Sequence, residues 1–142
     1  MKQEHKNKIF EMLTKHSHMV DLEQWEINEL MKELNPEQTK EKLDKGISDI
    51  VSKVEIATGV TFSEMITKSR KEKHVLARQF AMYKVRTEYR YFLPLSKVGE
   101  IFNRDHSTVL YSCKVMSNYI EVEYPEVMRI LENYESAELI AA

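Results

Sequence analysis

Apolar residues recur along this chain at spacings of three and four, and almost no run alternates with period two. Such spacing predicts helices and no sheet. Ile9, Phe10 and Leu13 mark a short first helix that ends near His16-Ser17-His18. Asp21 offers an N-cap with Gln24 at the third helical position, a variant of the capping box, ahead of a stripe of Ile27, Leu30, Met31 and Leu34. Asn35-Pro36 restarts the chain, because Asn caps well and proline suits the first helical position. A third helix carries Leu43, Ile47, Ile50, Val51 and Val54 on one face and stops before Gly59, whose lack of a Cβ suits the residue after a helix. A short helical turn over 62–66 leads into a basic loop. A helix over 75–90 follows, with Val75, Leu76, Gln79, Met82 and Val85 in phase, and Phe92-Leu93-Pro94 interrupts it. Ser96 is placed to cap a short helix holding Val98, Ile101 and Phe102. After a tight link at Asn103-Arg104, Asp105 is placed to cap a helix with Val109, Leu110, Cys113 and Met116 inward. Pro125 starts a last helix with Val127, Ile130 and Leu131. With only three glycines and three prolines, hairpins and long irregular loops are poorly supplied. The fold expected is all-α, with an N-terminal helical extension over 1–40 and one domain over 41–142.

Two short helices joined by about three residues, the second polar at its start, make a helix-turn-helix. Asp105, His106, Ser107 and Thr108 crowd a carboxylate, an imidazole and two hydroxyls at one helix tip, which core packing does not explain. In this motif the first turn of the second helix enters the major groove of DNA, where short polar side chains reach base edges. Asp105 can accept from cytosine N4, His106 can donate or accept, and Ser107 can do either. The Thr108 methyl can pack on a thymine methyl. Asp105 as a plain helix cap is the competing explanation.

Charge sharpens this picture. The formal net charge is only −2, yet the segment 68–114 holds 11 Lys/Arg against 4 Asp/Glu while the rest holds 10 against 19. A basic middle between acidic flanks fits a polyanion-binding face. The acidic stretch 121–138 reads as a solvated helix face. The single cysteine, Cys113, excludes an internal disulfide framework and a thiolate metal cage, and it falls on an apolar helix face. His16 and His18 have no third ligand nearby, so no metal site is expected. No apolar run reaches membrane-spanning length, and the expected location is cytoplasmic, with the nucleoid. No catalytic constellation occurs, so no enzyme and no cofactor are expected. The three glycines cannot build a Gly-x-x-x-x-Gly-Lys-Ser/Thr phosphate loop, so no ATPase is expected either.

The segment from Lys68 through Leu76-Ala-Arg-Gln79 and Ala81-Met-Tyr83, then Leu95-Ser-Lys-Val-Gly99 and Arg104-Asp-His-Ser-Thr-Val-Leu110, resembles the C-terminal DNA-binding domain of the bacterial replication initiator DnaA. The resemblance covers about 43–134. It implies a small helical domain that binds the DnaA box, a short asymmetric duplex element. By position it implies that Arg70 enters the minor groove and that Asp105, His106, Ser107 and Thr108 read the major groove. Lys68, Arg78, Gln79, Arg86, Leu95, Ser96 and Tyr111 stand where the family meets or approaches the phosphate backbone. Several positions depart from the family pattern. Asn103 stands alone where two glycines are usual, Ser96 replaces a proline and Ser107 a threonine. Tyr111 stands where histidine is common, and the connector over 89–92 is about two residues longer.

The expectation is therefore a stand-alone, sequence-specific double-stranded DNA-binding protein, without ATPase, acting at DnaA-box-like sites in replication initiation or its regulation. Its N-terminal helices, with Trp25, either cap the domain or meet replication proteins. The rival is a protein-interaction module or transcription regulator on the same scaffold.

Overall fold

The structure, a computed structural model, describes residues 3–14 and 22–141. Among these, eight helices and no strand occur: α1 Gln3–Leu13, α2 Gln24–Lys32, α3 Pro36–Thr58, α4 Phe62–Met65, α5 Glu72–Glu88, α6 Leu95–Phe102, α7 His106–Glu121 and α8 Pro125–Ala141. The all-α expectation holds, and the local signals account for most boundaries. The Asn35 side chain accepts from the N–H groups of Glu37 and Gln38, Pro36 follows at the first helical position, and Gly59 ends α3 at φ 72°. Thr61 and Glu64 close a reciprocal capping box on α4. The helix after the first break starts at Gln24, with Glu23 and Glu26 forming its capping box. The Asp21 cap and the His16/His18 pair lie outside the described residues.

One cap differs from expectation. Ser96 does not cap α6; Pro94 holds the N-cap position with extended backbone and Ser96 lies inside the first turn, exposed. Proline's fixed φ already suits the helix entrance. The expected division at residue 40 falls inside α3, because that helix runs unbroken from Pro36.

α5 is the central element, in contact with α3, α4, α6 and α7, while α8 lies along α3. Its expected stripe was too narrow. Ala77, Phe80, Ala81, Met82 and Val85 are all fully buried, whereas Val75, Leu76 and Gln79 are half-buried. A helix with four neighbours buries more than one stripe, and α5 keeps part-exposed polar positions at Gln79, Lys84, Arg86 and Glu88. One core joins Val54, Met65, Phe80, Phe102, Val109, Met116 and Tyr134 from six helices. α1 docks on this body: Phe10 packs against the core with its ring 5.2 Å from that of Phe92, and Ile9 and Leu13 are buried. Trp25 on α2 is 66% exposed and takes no part.

Candidate nucleic-acid interface

α6 and α7 pack on each other and are joined by Asn103, Arg104 and Asp105. The turn needs a residue with positive φ, and Asn103 supplies it at φ 56°, ψ 47°. The Arg104 N–H donates to the Gly99 carbonyl at 2.8 Å and the Asn103 N–H to Glu100 at 3.4 Å. These two bonds are the Schellman closure of a helix end, made here with asparagine in place of glycine. Asparagine tolerates the left-handed region better than other residues with a Cβ.

The turn aims the start of α7 outward. Asp105, His106, Ser107 and Thr108 are all exposed, while Val109, Ser112 and Met116 face the core. Leu110, expected inward, is 42% exposed, and Tyr111 is 64% exposed. Both lie beside the polar tip and widen it with apolar surface. Asp105 occupies the N-cap position, but its carboxylate makes no capping bond to the helix. It accepts instead from the Ser107 hydroxyl at 2.5 Å and lies 3.2 Å from His106 Nδ1. The Ser107 bond, followed by the charge of His106, holds the Asp105 carboxyl below its usual range. The tip is thus a linked set in which one acceptor orients two neighbours.

The basic loop 66–71 lies against this turn. The Arg104 guanidinium donates through Nη2 to the carbonyl of Thr67, across 37 residues of sequence. Arg78 reaches the same loop from α5. Its Nε donates to Met65 O at 2.5 Å and its Nη2 to Thr67 O and Ser69 O, both at 3.1 Å. His74 adds a third tie, with Nδ1 2.9 Å from the Ser69 hydroxyl and Nε2 3.0 Å from a Glu64 carboxylate oxygen. Lys68 and Arg70 project from this tethered loop and are exposed.

The backbone set implied by the resemblance divides. Lys68, Ser96 and Tyr111 are exposed, and Gln79 and Leu95 half-buried. Arg86 is partly committed, donating to Leu93 O at 2.6 Å and Arg90 O at 3.3 Å, where it ties the connector after α5. Arg78 is a correction. It is 6% exposed, and its guanidinium serves loop carbonyls, not the surface. Burial of a charged group is sustained only when such bonds replace water. The chain neighbours of Arg78, namely Ala77, Phe80, Ala81 and Met82, are apolar, but its acceptors lie 9 to 13 residues away and come within reach only in the folded chain. Arg104 and His74 were absent from the expected site, and their parts depend on contacts that sequence spacing does not show.

Residues 47–115 match the family model described as bacterial dnaA protein helix-turn-helix. This segment is similar to the helix-turn-helix of the bacterial DnaA family. The chain is 41% identical over 78 residues to the chromosomal replication initiator protein DnaA of Bacteroides fragilis, an alignment covering 54% of this chain and 16% of that protein. It is 34% identical over 95 residues to DnaA 2 of Chlamydia pneumoniae, covering 67% of this chain and 20% of the relative. A Bacteroides thetaiotaomicron DnaA is 42% identical over 78 residues, covering 54% and 16%. The chain therefore spans about a fifth or less of the length of these relatives. The DnaA-matched segment opens within α3 and closes within α7, so it contains the loop 66–71 and the polar tip together. Among the described residues no group of three His, Cys, Asp or Glu is placed to hold a metal ion, and no helix is long and apolar enough to cross a membrane.

Proposed function

We propose that this chain binds double-stranded DNA sequence-specifically, at DnaA-box-like sites, and acts in replication initiation or its regulation without ATPase chemistry of its own. α7 enters the major groove with Asp105, His106, Ser107 and Thr108 toward base edges. Arg70 enters the adjoining minor groove, where a narrow groove strengthens the negative potential that attracts arginine. Lys68, Gln79, Arg86, Leu95, Ser96 and Tyr111 face the backbone, setting register without reading sequence. Arg78 is reassigned from phosphate contact to support of the loop. The observation that carries this reading is the bond from Arg104 to Thr67, which brings the cationic loop beside the exposed helix tip.

The test is selection of binders from random duplexes, followed by salt titration and substitution. The logarithm of the binding constant should fall by about 0.9 per phosphate contact for each log unit of salt. Arg70→Ala and Thr108→Ala should each cost about 1–3 kcal/mol at the selected site and relax base choice, while Lys68→Ala should weaken all duplexes alike. Binding of every duplex equally by the parent and these variants would overturn the assignment.

A second reading, a protein-interaction module, is favoured by one feature: Trp25 stands 66% exposed on α2, away from the core. Replication proteins are the partner class this reading names. It requires a complex that survives Arg70→Ala and is lost with Trp25→Ala.

A further inference from the structure

Two guanidinium groups converge on one loop carbonyl from different parts of the fold. Arg78 comes from the central helix α5 and Arg104 from the turn between α6 and α7, and both donate to Thr67 O. Arg104 also donates through Nη1 to Asn103 O at 2.8 Å and Phe102 O at 3.4 Å. One planar fork therefore spans the end of α6 and the loop that carries Arg70. Two cations brought this close repel each other, and the charge of Arg104, after burial, depresses the Arg78 pKa. The shared carbonyl and the further acceptors Met65 O, Ser69 O and Asn103 O offset that repulsion. The loop also depends on its own weak bonds, Ser69 N–H to Thr67 Oγ1 and Lys71 N–H to Ser69 Oγ, each 3.3 Å. The first ends on Thr67 itself and the second on Ser69, the residue that first bond holds, so both are sensitive to how Thr67 is anchored.

We propose that Arg104 is a positioning residue that sets the distance between the Arg70 loop and the reading tip of α7, so that both engage one duplex in a fixed register. The proposal rests on the DNA-binding reading above. It assigns to the arginine before Asp105 a task other than contact with DNA. An arm held in advance gives up less conformational freedom on binding than a free one. Arg78 and His74 tie the loop to α5, and the strut from Arg104 adds the tie that fixes Arg70 relative to the tip of α7. Lysine cannot replace it, because an ammonium lacks the planar fork that reaches both sets of carbonyls.

Two measurements test this. In the free protein, amide exchange at Ser69 and Lys71 should speed up by about tenfold or more in Arg104→Ala, with α5 and α7 amides unchanged. On the duplex selected by the parent, Arg70→Ala should lower affinity by about tenfold or more in the parent, and by less than about twofold in the Arg104→Ala background. Thr108→Ala should keep most of its effect in both backgrounds. A general loss of fold would instead diminish the two effects together. Arg104→Lys, which keeps the charge and the aliphatic stem, should behave like Arg104→Ala, and it serves as the test protein should the alanine variant not fold. Unchanged exchange at Ser69 and Lys71, or an undiminished effect of Arg70→Ala, overturns the proposal. A parent that selects no duplex would defeat the DNA-binding reading, while the exchange experiment would still decide whether Arg104 holds the loop.

Discussion

Gly99 lies so close under Arg104 that a Cβ at Gly99 would sit 2.3 Å from the Arg104 carbonyl oxygen. The obstruction is backbone, which cannot swing aside as a side chain end would. Gly99→Ala should therefore destabilise the protein by about 1–3 kcal/mol through overpacking, despite alanine's better helix propensity. Urea denaturation compared with an exposed control in the same helix, Glu100→Ala, measures it.

Asn103 turns the chain at φ 56° with a side chain that tolerates that region. Asn103→Gly should be tolerated, within a few tenths of a kcal/mol of the parent or better, because glycine has no Cβ to strain. Asn103→Ala should cost about 1 kcal/mol. Melting temperatures of the three proteins rank them, and the order Ala above Asn would contradict the argument.

Arg78 separates a supporting arginine from a phosphate contact. Arg78→Met keeps the apolar stem but leaves the carbonyls of Met65, Thr67 and Ser69 without that donor. It should cost about 1–3 kcal/mol of stability, whereas Lys68→Met, at an exposed position, should stay within about 0.5 kcal/mol. Chemical denaturation without DNA distinguishes them.

Alkali should unfold the domain through two buried phenols. Burial, then Glu88 and Asp49, pushes the Tyr89 hydroxyl up to about 12 from its ordinary value near 10. Burial, then Glu88 and Glu138, raises Tyr134 as well. A raised phenol pKa means that the folded state holds the proton more tightly. The contribution is complete below the unfolded pKa near 10 and is lost as pH rises, for Tyr89 between about 10 and 12. Tyr134→Phe should flatten the fall of melting temperature between pH 9 and 11.5. At neutral pH it should be neutral or stabilising by up to about 1 kcal/mol, because the Tyr134 hydroxyl is buried without a hydrogen-bond partner among the described residues. A large loss at pH 7 would show that the hydroxyl has a role in packing.

By itself the sequence determined the helical class, the placement of α3 to α8 and the polar tip on α7. These follow from local rules: the 3.6-residue period of apolar positions, the cap at Asn35, the breaks at Gly59 and Pro94, and the tight link at Asn103-Arg104. Only the tertiary structure decided which cations face outward and which hold the fold together. Lys68, Arg70, Arg78 and Arg104 look alike as charges in a basic run, yet the first two are exposed and the last two bind Thr67. The reason is distance. A guanidinium 11 or 37 residues from its acceptor finds it only after α4, α5 and α6 have packed, and no periodicity along the chain encodes that approach.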